Sequence, residues 1–299
     1  MPAKLVIGVD VGGTKIQAGL ISPTGRILKR ATRPTETSAG KKAILRNIQE
    51  AIDEVNVSGI KGIGIGIAGM VDGVKGIYRM GPNFPKSFRN IPLAKLFSRK
   101  YRVPVRIDND VHCFILAESV HGAGKGKKSV VGITLGTGIG GGIVIDGQLF
   151  RGAHNAAGEL GHMTIDASSK AVCGCGMIGH FESLASGTAM AKLFTSLTGK
   201  KLMPIEVEEA AKHGNAMAKK VIKKMSEGLA AGLASVIHFI DPEMIVVGGG
   251  VAKADILWLP ALTRAKKLII FPKLRKTPIV RSALGSDAVV LGAGLLTRR

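Results

Sequence analysis

Residues 5–21 read LVIGVDVGGTKIQAGLI, an apolar run that ends in Asp10-Val-Gly-Gly-Thr-Lys15 and resumes as a second apolar run. Lys4 to Asp10 has the continuous apolar character of a buried strand, and Lys15 to Ile21 that of another. The glycine turn at Gly12-Gly13 therefore joins strand to strand. That context excludes a Walker-type loop, in which Gly-Lys-Ser/Thr opens a helix, and it excludes a dinucleotide fingerprint. A tight glycine hairpin can instead turn backbone N–H groups toward phosphate oxygens. Thr14 adds a hydroxyl donor, and Asp10, at the strand end, can hold a hydrated Mg²⁺.

Downstream, Ser22 to Gly25 forms a hairpin turn and Arg26 to Thr32 a third strand. Residues 41–55 carry a helical stripe at Ile44, Leu45, Ile48, Ile52 and Val55. Further strands are expected over Gly62 to Ala68 and Pro104 to Ile107. The opening plan then recurs about 125 residues on. Ser129 to Leu135 is a strand, Gly136-Thr137-Gly138-Ile-Gly-Gly-Gly142 a turn, Ile143 to Ile145 a strand, and Asp146-Gly147 a hairpin into Gln148 to Arg151. Two strand–glycine turn–strand–hairpin–strand units point to two copies of one supersecondary element. Helices are expected over Glu206 to Met225, Glu227 to Ile240 and Ala254 to Leu268. A strand at Met244 to Val247 runs into Gly248-Gly249-Gly250, and Ser286-Asp287 is expected to cap a last helix through Leu296.

With 299 residues, 45% of them hydrophobic, the chain is long enough for two cores. No run approaches the roughly 18 apolar residues of a membrane span, and no signal core opens the chain. Three cysteines make no disulfide framework, so a reduced, cytoplasmic setting is expected. The formal charge of +21 attracts polyanions. Aromatic residues are only 4%, with no zinc-finger spacing and no arginine-rich arm, which argues against specific nucleic-acid binding.

Glu159-Leu-Gly-His162 precedes Cys173-Gly-Cys175-Gly-Met-Ile-Gly-His180-Phe-Glu182. Two thiols and two imidazoles at this spacing make a tetrahedral Zn²⁺ set, against the plainer reading of inert thiols beside ordinary histidines. Cys113, alone on an apolar helix, reads as a core residue.

The three glycine segments, Asp10 to Lys15, Gly136 to Gly142 and Val246 to Gly250, resemble the phosphate-1, phosphate-2 and adenosine motifs of the actin-like ATPase and sugar-kinase superfamily. The segment from Glu159 to Glu182 resembles the signature of the ROK family, whose members include glucokinases, other hexose kinases and sugar-sensing repressors. The implied fold is α/β: a two-lobed actin-like ATPase (ribonuclease H-like) fold, with duplicated mixed sheets and an ATP cleft between lobes. The lobes are expected at 1–110 and 111–285, with a final helix from about 286 packing back on the first.

The resemblance assigns Asp10, Gly12, Gly13, Thr14, Lys15, Gly136, Thr137, Gly138 and Gly248 to Gly250 to Mg-ATP. It assigns Asn83, Asn109, Asp110, Glu159, His162 and Glu182 to the sugar, and Asp110 to proton abstraction. Zinc falls to His162, Cys173, Cys175 and His180, the last where a cysteine is usual. An aspartate ahead of a helix is also a cap candidate, and Asp108 is the local competitor as base. Ala68 stands where the family's Pro-Gly-x-Val-Asp segment has proline, and the tryptophan that often follows Pro82-Asn83-Phe84-Pro85 is missing.

The expected activity is transfer of the γ-phosphoryl of Mg-ATP to a hexose, glucose first. N-acetylhexosamine, mannose and fructose are alternative acceptors, and inorganic polyphosphate an alternative donor. A homodimer or homotetramer is implied by the resemblance. A repressor of the family carries a DNA-binding domain ahead of the fold, for which a first strand near Leu5 leaves no room.

Overall fold

The computed structural model describes residues 4–298. The chain forms two compact bodies, one of residues up to 126, 147–157 and from 283 on, the other of 127–146 and 158–282.

The first body opens with β1 (Val6–Val11), β2 (Lys15–Ile21) and β3 (Ile27–Pro34), an antiparallel meander. There follow α1 (Gly40–Val55), β4 (Ile63–Ile67), the small hairpin β5 (Met70–Asp72) and β6 (Ile77–Met80), α2 (Leu93–Tyr101), β7 (Val105–Asn109) and α3 (Asp110–His121). The sheet runs β3-β2-β1-β4-β7, with β1, β4 and β7 parallel. Ile7, Val9 and Val11 are wholly buried because the sheet is covered on both faces. One cover is α1, whose Ile44, Ile48, Ile52 and Val55 face the sheet, as the stripe predicts.

The other cover is α9 (Ala288–Leu296), which packs on α3, β1 and β4. The helix lies so close that a Cβ at Gly8 would meet the Val290 carbonyl at 1.9 Å, and one at Gly64 the Ala293 carbonyl at 1.7 Å. Much of the glycine in these strands thus serves helix-on-sheet contact. Because α3 packs on α9 and β4, it belongs to the first body, and a boundary at residue 110 is moved accordingly. Asp287 does not cap α9 with its side chain; its carboxylate is taken by Arg30, at 2.5 and 2.7 Å.

The second body is built on β8 (Ser129–Leu135) and β9 (Ile139–Ile145). Asp146 and Gly147 both take positive φ, the hairpin geometry expected of Asp-Gly, and lead into β10 (Gln148–Phe150), which belongs to the first body. The strand after the second glycine turn begins at Ile139, four residues earlier than expected. Gly140, Gly141 and Gly142 pair in the ladder with β8. A Cβ at Gly141 would lie 2.4 Å from the Gly158 carbonyl, so glycine is in the strand to let that backbone cross it.

After α4 (Phe181–Ala185) and α5 (Gly187–Thr198), the next helices are α6 (Pro204–Lys212) and α7 (Ala216–Ile240), not 206–225 and 227–240. The chain breaks at Gly214, with φ +93°, and Asn215 caps α7 through the Ala218 N–H at 2.9 Å. Ser226 stays helical, its hydroxyl donating to the Lys223 carbonyl. The strand β11 (Met244–Gly248), then α8 (Asp255–Leu268) and β12 (Ile279–Arg281), complete the body, with β8, β11 and β12 parallel. Among the described residues, no helix is long and apolar enough to cross a membrane.

Candidate functional site

In the first body the parallel strands set a register in which Asp10 stands beside Gly66 and Gly66 beside Asp108, with Val11, Ile67 and Asn109 in the next row. Asp10 and Asn109 thus lie at the carboxyl ends of β1 and β7, with Asp110 opening α3, at the edge where parallel α/β sheets bind ligands. The turn after β1 is closed by the Gly12 N–H donating to the Lys15 carbonyl at 3.0 Å, so this donor is committed within the turn. A Cβ at Gly13 would lie 2.9 Å from that of Asn83, which brings the second sugar-motif residue against the first glycine turn. Burial raises the Asp10 carboxyl to about 7, with the charge of Asp110 adding and that of Lys15 opposing. Asp10 and Asp110 are therefore electrostatic neighbours.

Alternation along β7 and the start of α3 separates the two rival aspartates. Asp108 is buried, with His112 Nδ1 2.7 Å from its Oδ1, while Arg151 donates from Nε and Nη2 to Oδ2. Burial would raise its pKa, but the bonds and charges of His112 and Arg151 outweigh that and hold it below the usual carboxylate range. Asn109 is the helix cap: its Oδ1 accepts from the N–H of Val111 at 2.8 Å and of His112 at 3.4 Å, and its Nδ2 donates to the Gly69 carbonyl at 2.9 Å. Asp110 is half-buried in the first helical position, its Oδ1 accepting from the Val111 N–H at 3.0 Å. The capping role that competes with catalysis for an aspartate at this place falls to Asn109.

The second body brings its two glycine turns together. Gly248 pairs beside Thr134, and Gly249, with φ +97°, lies where a Cβ would be 2.3 Å from the Leu135 carbonyl. The Gly136-Thr137-Gly138 turn is pinned to the start of α5, where Gly187 and Thr188 N–H groups donate to the Gly136 and Thr137 carbonyls at 2.8 and 3.1 Å. Glu182 Oε2 accepts from the Ile139 N–H at 3.0 Å and fills the space a Cβ at Gly138 would need. Its other oxygen accepts from the Cys173 thiol at 3.5 Å.

Cys173, Cys175, His162 and His180 offer ligand atoms all within 4.8 Å of one another. Cys173 Sγ is 3.7 Å from His162 Nδ1, and Cys175 Sγ 3.4 Å from His180 Nδ1. A tetrahedral zinc with bonds of about 2.3 Å to sulfur and about 2.1 Å to nitrogen sets sulfur and nitrogen about 3.6 Å apart, so these edges fit the ion. The loop is framed by the Cys173 N–H donating to the Met177 carbonyl at 2.8 Å. It is anchored by Phe181, wholly buried against Gly232 of α7. His162 turns its remaining nitrogen, Nε2, toward Glu159, 4.0 Å away. Cys113 is a core residue, as expected.

His112, Arg151 and Glu118 escape sequence reasoning. Buried Glu118 accepts from the Ala123 and Leu284 N–H groups at 2.8 and 2.9 Å, holding the return of the chain at residue 284. The one local signal was the short spacing of Asp108, near the end of β7, and His112, in the first turn of α3.

Two bodies, each opening on a strand–glycine turn–strand unit, have the actin-like ATPase fold of ROK sugar kinases. The ROK family model matches residues 6–299, and the chain belongs to the ROK family. It is similar to a glucokinase of Thermotoga maritima, 36% identical over 315 aligned positions that cover 100% of this chain and 98% of that protein. Among solved structures it is similar to a ROK hexokinase from Thermus thermophilus, at 32% identity and TM-score 0.87, covering 97% of each chain. It is also similar to a ROK glucokinase from Streptomyces griseus in complex with glucose and AMPPNP, at 31% identity and TM-score 0.83, covering 98% of this chain and 99% of that one.

Proposed function

We propose that this ATP-dependent sugar kinase transfers the γ-phosphoryl of Mg-ATP to the 6-hydroxyl of glucose, with Asp110 as the catalytic base. The observation that carries the assignment is the division of labour at the start of α3. Asp108 is bound by His112 and Arg151, the Oδ1 of Asn109 caps the helix, and Asp110 stands at the strand ends beside Asp10. A sugar hydroxyl is a weak nucleophile. As its oxygen bonds to the γ-phosphorus, its proton passes to the Asp110 carboxylate, and the bond from that phosphorus to the β-bridging oxygen breaks to leave ADP.

Asn83, Asn109, Glu159 and His162 orient the sugar. Glu182 serves the sugar site by bracing the Gly136-Thr137-Gly138 turn and the cysteine loop. Phosphates lie against Gly12 to Lys15 and that second turn, with Gly248 to Gly250 on the adenosine side. Asp10 holds the hydrated Mg²⁺, which neutralises phosphate charge when bound. His162, Cys173, Cys175 and His180 hold a structural Zn²⁺ that stiffens the segment carrying Glu159 and Glu182. The setting is the reducing cytoplasm, and the assembly a homodimer or homotetramer.

A second donor is favoured by one observation. The +21 charge includes cationic runs such as Lys125 to Lys128 and Lys219 to Lys224, suited to inorganic polyphosphate. The test is incubation of the purified chain with Mg-ATP or polyphosphate and a panel of glucose, mannose, fructose and N-acetylhexosamines, with the products identified. Glucose 6-phosphate as the main product is expected; a different hexose phosphate would reassign the acceptor.

A further inference from the structure

Asp108, near the end of β7, and His112, in the first turn of α3, are 4% and 7% exposed, a buried pair four residues apart. Every acceptor direction of the Asp108 carboxylate is used. Oδ1 receives the Asn109 N–H at 2.8 Å and faces His112 Nδ1 at 2.7 Å, and Oδ2 receives both Nε and Nη2 of Arg151. The second nitrogen of His112, Nε2, faces the carbonyl oxygen of Ala157 at 3.5 Å. Both ring nitrogens therefore face oxygen acceptors. A neutral imidazole has one N–H and would turn a lone pair on one of them; the imidazolium satisfies both.

The surroundings favour the same form. Burial disfavours the charge, but Asp108, and then the Ala157 carbonyl, more than offset it against Arg151, and the His112 pKa stands above its ordinary 6.5. Of the elements packed on α3, β4, α9 and β10 carry no titratable residue, and β7 carries Asp108 itself together with exposed Arg106. On α3 itself the nearest acid in sequence is Asp110.

The two cations grip the two ends of one arm. Arg151 begins the segment and Ala157 ends it, and within the arm Ala157 N–H donates to the Arg151 carbonyl at 3.1 Å. Residues between them, Gly152 to His154, are exposed, and Gly152 and Asn155 both take positive φ. Two residues past Ala157 the chain reaches Glu159.

We propose that His112, as an imidazolium, is a positioning residue for sugar binding: with Arg151 it clasps the 151–157 arm to Asp108 and so fixes the approach of the chain to Glu159. This rests on the reading of Glu159 as a sugar ligand. Loss of the His112 proton leaves Nε2 and the Ala157 oxygen as facing lone pairs, and the far end of the arm is released. Sugar affinity then falls as pH rises, while the proton transfer at Asp110 is left in place. By linkage, sugar binding must raise the affinity of His112 for its proton by the same factor.

Kinetics of the purified kinase between pH 6 and 9, with ring nitrogen NMR of His112, test this. The wild-type KM for glucose should rise about fivefold or more across that range, with kcat changing less. The His112 signal should show both nitrogens protonated at pH 7 and a midpoint that moves upward on adding glucose. His112→Gln should show the high KM at every pH with a flat profile. Arg151→Lys, which keeps the charge but loses the fork, should raise KM while keeping the pH dependence. A wild-type KM flat over the range, or a His112 midpoint that glucose does not move, would overturn the clasp while leaving the kinase reading intact. Failure of the wild type to phosphorylate any hexose would overturn both.

Discussion

Glu182 Oε2 accepts from the Ile139 backbone N–H at 3.0 Å, and through this bond the helix that follows the cysteine loop holds the second glycine turn. A side chain at Gly138 would fall on the same oxygen, so turn and carboxylate fit each other by the absence of one methyl group. Glu182→Ala should cost about 1–3 kcal/mol, the range for a charged group lost from a partly buried hydrogen bond. It should also raise KM for ATP, because the turn loses its brace. Thermal melts and ATP titrations check this. A variant with normal stability and a normal KM for ATP, but with a raised KM for glucose, would mean that Glu182 serves only as a direct sugar contact.

The cysteine loop should hold about one zinc per chain. Burial, foremost among several effects, raises the Cys173 thiol to about 11 in the metal-free fold, so loading must displace its proton and should weaken as pH falls. Metal analysis of protein purified without chelator or a histidine tag is the check. Retention of zinc after Cys173 and Cys175 are both changed to Ser would remove the assignment, and His180→Ala with full zinc content would remove the fourth ligand.

Asp10 links stability to activity in opposite senses. Its carboxyl titrates near 3.8 in an open chain and at about 7 in the fold, so between those values the folded state binds the extra proton. Stability therefore falls as pH rises from about 4 to about 7 and stays reduced above that. In magnesium-free buffer Asp10→Asn should melt higher than wild type at pH 8 and about the same at pH 4. Its Mg-ATP turnover should fall by about two orders of magnitude. A variant that melts lower than wild type at pH 8 would contradict the burial argument.

Much of this was legible locally. The strands over 15–21 and 129–135 follow from mostly apolar runs beside glycine turns, and the Asp146-Gly147 turn from a dipeptide that suits a two-residue hairpin. What escaped depends on partners far along the chain. Asp287 reads as a helix cap, yet Arg30, 257 residues earlier, claims it. The start of β9 is displaced because glycines that read as a loop are strand residues crossed by the Gly158 backbone. At the site, the resemblance prefers Asp110 as base and leaves Asp108 as its local competitor. What the sequence does not show is that Arg151, 43 residues on, joins His112 on the Asp108 carboxylate.

The charge of +21 predicts a salt-sensitive interaction with polyphosphate. Between about 20 mM and about 300 mM salt the Debye length shrinks severalfold, and attraction by exposed lysines weakens with it. Polyphosphate should act as donor, or as competitor with ATP, at the lower salt and fade at the higher. Polyphosphate that neither supports nor inhibits turnover at about 20 mM would leave the charge without this role.

The most direct measurement is steady-state kinetics and glucose binding by Asp110→Asn. The substitution keeps the shape of the side chain and removes the proton acceptor, so kcat should fall by about two to four orders of magnitude with glucose affinity and melting temperature near those of wild type. Turnover within a few-fold of wild type in a fully folded Asp110→Asn variant would contradict the assignment of the base at the head of α3.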